Sequence, residues 1–219
     1  MRVVRRIALL LAPLVTLAFA PSALGWTTLS GGVDNDVIPS MLVTKAGTEL
    51  VSFETRPSDT IEVSRNRGTP KVLVSGDPAA QRTQLVQQPN GTILLYFPNA
   101  SGVARMTSVD DGATWTGPVQ TQSRDVGAVQ SAAVAPDGTP YFTQDGTGFV
   151  NVFKGLNGET SKNVYTTCCG YDSTVAVDST GVVQVAFFSN ATANGAFVYE
   201  ALDANLNVTG TPTSLAPSL

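Results

Sequence analysis

The sequence predicts an all-β chain folded as a β-propeller of about four four-stranded blades. Three observations predict it: a recurring glycine-centred turn, strand-like runs in fixed order around each turn, and a composition poor in the residues that helices use. The turns are Lys45-Ala46-Gly47-Thr48, Pro89-Asn90-Gly91-Thr92, Pro136-Asp137-Gly138-Thr139 and Ser179-Thr180-Gly181-Val182, and their glycines stand 44, 47 and 43 residues apart. A repeat of that length holding four strands is the signature of a propeller blade. Charged residues make up 14% of the chain, against roughly 25% in an average domain, whereas exposed helix faces usually carry Lys and Glu.

Each unit reads in the same order. The first strand precedes the turn: Met41-Leu42-Val43, Gln84-Leu85-Val86, Ala132-Ala133-Val134 and Val175-Ala176-Val177. The second follows it: Leu50 to Phe53, Ile93 to Phe97, Tyr141-Phe142 and Val183 to Phe188. Asn-Gly and Asp-Gly between such runs are strong hairpin turns. A third strand comes next, at Ile61 to Ser64, Val103 to Met106, Val150 to Phe153 and Phe197 to Tyr199. For the fourth, Lys71 to Ser75, Val119 to Thr121 and Val164 to Thr166 are the candidates. The expected organisation is therefore a leader over 1–25 and a propeller over 26–219, with blades near 33–76, 77–121, 127–167 and 168–215.

The leader has the pattern of a secretory signal. Arg2, Arg5 and Arg6 precede the apolar run Ile7 to Ala20, and Ala23-Leu24-Gly25 supplies small residues for cleavage before Trp26. The run is too short to span a bilayer comfortably, so no membrane attachment is expected after its removal. The remaining chain carries 10 basic against 17 acidic residues, and that acidic balance disfavours nucleic acid as a partner. The chain has no His, which excludes Ser-His-Asp catalysis, an imidazole base and a His-based zinc site. No metal and no other cofactor is expected. Four Lys against nine Arg points to a GC-rich bacterial source.

One motif is specific. Ser108-Val109-Asp110-Asp111-Gly112-Ala113-Thr114-Trp115 has the form S-x-D-x-G-x-T-W and resembles the Asp-box, or BNR repeat, of sialidases. Such a segment closes the hairpin between third and fourth strands: Asp110 accepts from backbone N–H groups of its own turn, Gly112 supplies a positive φ, and Trp115 packs between sheets. These tasks are structural. Weaker copies fall at Ser64 to Pro70, Gly155 to Glu159 and Ala201 to Asn205, where Asn205 stands in the glycine place and also tolerates positive φ. The opening unit adds to the resemblance: Val37-Ile38-Pro39, a strand, the Gly47 turn, a strand and Arg56-Pro57 follow the order of the first sialidase blade.

The resemblance implies a six-bladed propeller, of which four blades are visible, and a glycoside hydrolase site. It places an acid/base at Asp59, just past the Arg-Pro pair. It also implies an arginine at the position of Val37, and an aliphatic chain cannot replace a bidentate guanidinium–carboxylate contact. The tyrosine nucleophile and its glutamate have no match by motif, although Tyr165 and Tyr171 are available.

Loops away from the glycine turns form the expected ligand face. The candidates on that face are Arg56, Asp59, Asp77, Arg82, Arg124, Asp125, Asp145, Tyr171 and Asp172, of which Arg56, Arg82, Tyr171 and Asp172 are the expected ligand-binding residues. The adjacent Cys168 and Cys169 are the only cysteines. In an oxidising compartment either a vicinal disulfide or free thiols would fit. The leading expectation is a secreted, non-catalytic glycan-binding or scaffold module. An exo-sialidase cleaving terminal sialic acids and a protein–protein platform are the alternatives. Four blades either close into a small ring or form an open arc, which would favour association.

Overall fold

The computed structural model describes residues 35–56, 58–76, 82–123, 127–146, 148–165, 170–189 and 195–214, with side chains from residue 38 onward. The leader, Asp77, Arg124, Asp125, Cys168 and Cys169 lie outside the described residues. Among those described there is no helix and there are sixteen strands. Sheet 1 is β1 (Asn35–Val43), β2 (Glu49–Arg56), β3 (Thr60–Arg65) and β4 (Lys71–Ser75); sheet 2 is β5 (Gln84–Gln87), β6 (Ile93–Asn99), β7 (Gly102–Ser108) and β8 (Thr116–Gln120). Sheet 3 is β9 (Ala128–Val134), β10 (Pro140–Gly146), β11 (Phe149–Lys154) and β12 (Thr160–Tyr165); sheet 4 is β13 (Gly170–Val177), β14 (Val183–Ser189), β15 (Ala196–Leu202) and β16 (Thr213–Ser214). Each sheet is an antiparallel meander in chain order.

The first strands of the sheets are neighbours, β1 beside β5, β5 beside β9 and β9 beside β13. This places them along the axis, with the later strands radiating outward as blades. The middle strands are apolar on both faces because a blade is covered on both sides. Leu50, Ile61 and Val63 of blade 1 meet Ile93, Leu95, Phe97 and Met106 of blade 2. Leu94, Tyr96 and Val103 on the other face of blade 2 meet Val129, Phe142 and Phe153 of blade 3. Tyr141, Val150 and Val152 of blade 3 meet Val175, Val185 and Phe187 of blade 4.

Four blades in a closed ring would share four cores. Three cores among the described residues make this an open arc, an incomplete propeller. The blade faces at its two ends carry exposed apolar side chains, Met41 and Val43 on β1 and Phe197 on β15.

Two outer strands begin earlier than expected. β8 starts at Thr116 rather than Val119, and β12 at Thr160 rather than Val164. Both are solvent-exposed along most of their length, so hydrophobic alternation does not mark them. The inner strands β1, β9 and β13 instead run four to six residues further back than their apolar cores suggest, because each continues through a bulge.

Candidate functional site

Alternating strand direction puts the turns between the first and second and between the third and fourth strands of every blade at one end of the axis and the opposite strand ends at the other. The Asp-box lies at the first end. Asp110 accepts from the Thr114 amide at 2.8 Å, the Thr114 hydroxyl at 2.5 Å and the Ser108 hydroxyl at 2.9 Å. These bonds hold its carboxyl down at about 2, the Thr114 hydroxyl contributing most. Gly112 has φ +81, and Trp115 donates its indole N–H to the Gly112 carbonyl at 3.2 Å while packing on the first core. Asp203 holds its turn likewise, accepting from the Asn205 and Asn207 amides at 2.8 and 2.9 Å. There the positive φ falls on Leu206, not Asn205, because Leu206 is drawn into the third core.

The charged form of Asp110 is the one the fold prefers. Its contribution to stability is therefore complete above the ordinary carboxyl pKa and is lost as pH falls from about 4 to about 2. Urea midpoints measured across that window should fall more steeply for the wild type than for Asp110→Asn; parallel slopes would contradict the assignment.

The turns between third and fourth strands also tie blades 2, 3 and 4 to the blade before. Arg65 at the end of β3 donates Nε to the Asp111 carbonyl at 3.0 Å, and the Thr48 hydroxyl donates to the Asp111 carboxylate. At the next junction Arg105 reaches the Asn157 side-chain oxygen at 3.1 Å, and Tyr96 the Leu156 carbonyl at 3.1 Å. At the third, Lys154 donates to the Ala204 carbonyl at 2.7 Å. The turn of blade 1 is satisfied at home: Arg67 forms a two-point pair with Glu49 at 2.8 and 3.1 Å.

The loop end holds the polar cluster. It is built on irregularities at one place in the inner strands. Ile38 and Pro39 together oppose Phe53, Gln130 is the extra residue between Val129 and Ser131, and Asp172 and Ser173 together oppose Phe187. Blade 2 has Arg82 and Thr83 there, just before β5. Bulges re-aim side chains, and those at Gln130 and Asp172 meet Arg82 of blade 2. Arg82 pairs with Asp172 at 3.1 Å and donates from its other terminal nitrogen to the Gln130 side-chain oxygen. The Gln130 amide nitrogen donates to Asp145, whose second oxygen accepts the Ser173 backbone N–H at 3.0 Å. Asp145 is 5% exposed. Burial pushes its carboxyl above the usual range, against the pull of the Ser173 N–H, Gln130 and Arg82. The Ser173 hydroxyl is buried and without a hydrogen-bond partner among the described residues.

The structure thus brings Arg82 and Asp172 together; Tyr171, 40% exposed, pairs in register with Phe188 on β14 and makes no contact with Arg82 among the described residues. Arg56 lies elsewhere, at the end of β2, paired at 3.0 Å with the buried Glu54. Asp59 occupies the β2–β3 turn with φ 49, and its carbonyl accepts from Gly76 at 3.0 Å. No contact among the described residues joins Asp59 to the cluster. Val37 is the β1 partner of Glu54. The Tyr165 hydroxyl is bonded to Ser189 and its ring tilts against Phe187 at 5.0 Å, so its place is structural.

Gln130 and Ser173 are the members that sequence reasoning missed. A signal for them exists: Pro39, Thr83, Gln130 and Ser173 each stand eight residues before their turn glycine. At the opposite end of the axis, a cleft of about 340 Å³ lies among Lys45, Gln87, Pro89, Pro136 and Asp178.

No protein-family profile and no curated protein matches the sequence. Solved structures do match in fold. A protein of unknown function from Dyadobacter fermentans superposes with a TM-score of 0.64 at 13% identity, over 83% of this chain and 69% of its own. A sialidase from Streptococcus pneumoniae gives 0.62 at 10% identity, over 87% of this chain and 54% of its own. The α-L-arabinanase of Penicillium chrysogenum, solved with arabinobiose, gives 0.55 at 14% identity, over 84% of this chain and 67% of its own. The chain therefore spans between about half and about two thirds of these structures. Its fold is that of a sialidase-like β-propeller, shared with arabinanases and related glycoside hydrolases.

Proposed function

We propose that the chain is an exported, non-catalytic glycan-binding module whose site is the polar cluster at the loop end of the axis. The observation that carries this is the network of Arg82, Gln130, Asp145 and Asp172, drawn from three blades, with Gln130 and Asp172 on inner-strand bulges, Arg82 just before β5 and Asp145 on β10. Alternating donors and acceptors suit sugar hydroxyls, and Ser173, whose backbone N–H holds Asp145, has a hydroxyl without a partner among the described residues.

Two features support binding without turnover. Glycoside hydrolysis uses two carboxyl groups flanking the scissile bond. Here both oxygens of Asp145 are committed to protein donors, and Asp59 stands outside the cluster. The same geometry favours a neutral sugar over a sialic acid. The Arg82 guanidinium is already held by Asp172 and Gln130, and two carboxylates flank the place where an acid sugar would put a third negative charge. Export rests on the Arg2 to Gly25 pattern.

The test is a glycan panel read by calorimetry, together with fluorogenic sialosides and arabinosides. A neutral saccharide should bind, and Arg82→Ala should weaken it by about tenfold or more through loss of the charge-assisted network. Release of fluorophore at an enzyme-like rate, abolished by Asp145→Asn or Asp59→Asn, would replace this reading with a glycosidase. Protein partners captured with no glycan effect would replace it with a platform.

A further inference from the structure

Glu200 is a carboxylate in a core position. It stands on β15 opposite Val185, the residue four past the turn glycine Gly181. The corresponding residues are Met106, opposite Leu95 in blade 2, and Phe153, opposite Phe142 in blade 3. Both are buried against the preceding blade. Register partners share one face of a sheet, and Val185 belongs to the core between blades 3 and 4, so the Glu200 side chain enters that core. Glu200 is 5% exposed, and its Oε2 is sealed from solvent with no hydrogen-bond partner among the described residues. Blade 3 itself covers this face.

Little offsets a negative charge there. The strands on either side, β14 and β16, carry no charged residue. On β13 the charge is Asp172, which Arg82 takes up. In the turn after β15, Asp203 is engaged by its own amides. From blade 3, Lys154 of β11 and Tyr141 of β10 both donate to the Ala204 carbonyl, at 2.7 and 3.4 Å, and the Tyr165 hydroxyl of β12 is bonded to Ser189. Asp145 of β10, at the loop end of the joint, is held by Gln130 and the Ser173 N–H. Lys162 of β12 stands opposite Val152, on the side of blade 3 that faces Glu200, but it is exposed and forms no ion pair with Glu200 among the described residues. A buried carboxyl without donors favours its neutral form. Burial accordingly pushes Glu200 above the usual carboxyl range, and the Lys162 charge brings it only part of the way back.

We propose that Glu200 makes the joint between blades 3 and 4 sensitive to pH: the blades pack fully while its carboxyl is protonated and part more readily once it ionises. The bond from the Ser173 N–H to Asp145 crosses the same joint, so the loop-end cluster is assembled by it. Because the fold prefers the neutral form, the stabilisation is complete below the ordinary carboxyl range and is lost as pH rises through the raised value. That is opposite in sign to Asp110. Thermal melting would be followed from about pH 8 to about pH 5 for the wild type and Glu200→Gln, two proteins in which every other carboxyl, Asp145 included, is the same. On acidification the wild type should gain about 3 °C or more relative to Glu200→Gln. At about pH 8 both Glu200→Gln and Glu200→Met, which copies the residue of blade 2, should melt above the wild type. Amide hydrogen exchange at that pH should be slower in Glu200→Gln than in the wild type by about tenfold in β11 to β15, and equal in β2 to β7. Parallel melting profiles would overturn the proposal. So would exchange that is unchanged in β11 to β15, or slowed to the same degree in all four blades, since the charge would then not act on this joint.

Discussion

Phe142→Ala should lower the stability of the chain by about 3–5 kcal/mol, the range for removing a fully buried aromatic side chain. Phe142 is inaccessible to solvent and stacks between Tyr96 and Phe153, each at a ring separation of 4.8 Å. Together with Leu94, Val103 and Val129 these rings are the core between blades 2 and 3. In a closed ring, two halves separated at one junction would still be joined at another. In this arc the middle junction is the one that joins blades 1 and 2 to blades 3 and 4. The variant should therefore unfold over a broader range, in two steps, where the wild type unfolds in one. Urea unfolding followed by circular dichroism measures both effects. A loss below about 1 kcal/mol, or an unbroken single transition, would show that the halves are held together elsewhere.

Gly112→Ala should cost about 2–5 kcal/mol, from two separable sources. Its φ of +81 is unfavourable for a residue with a side chain, by roughly 1–2 kcal/mol. The added carbon would also stand 2.6 Å from one Leu50 methyl and 2.9 Å from the other, and Leu50 is wholly buried in the core between blades 1 and 2. Overpacking of that kind costs about 1–3 kcal/mol. Gly181→Ala is the matched control. Its φ is +87, and a carbon there meets nothing within 4 Å, so it carries the backbone cost alone. The difference between the two melts measures how firmly the Asp-box turn of blade 2 presses on blade 1. Equal losses would mean that Leu50 yields at no cost.

The blades were legible in the sequence because their signals are local. Gly47, Gly91, Gly138 and Gly181 mark the turns, and apolar runs such as Ile93 to Phe97 mark strands covered on both faces. The outer strands were less legible, since Thr160 to Tyr165 has no buried face to imprint a pattern. The site was legible only in part. Arg82 and Asp172 stand out as charges in loops, but their pairing spans 90 positions. Gln130 sits inside a strand, and the bulge that frees it carries no glycine or proline. Asp59 and Arg56 follow the order of the first sialidase blade, yet the structure keeps them in blade 1 while the cluster forms among the other three. The choice between ring and arc depends on contacts between blades far apart in sequence, which no local pattern encodes.

The clamps from Arg65, Arg105 and Lys154 give the arc a grammar of succession. Among the described blades, the first three each present a cation to the turn of the next. A duplicated unit is thus accommodated most readily in the interior, where both halves of the joint already exist. Growth of this architecture by tandem duplication of an interior blade would reproduce both halves of the joint without any new residue.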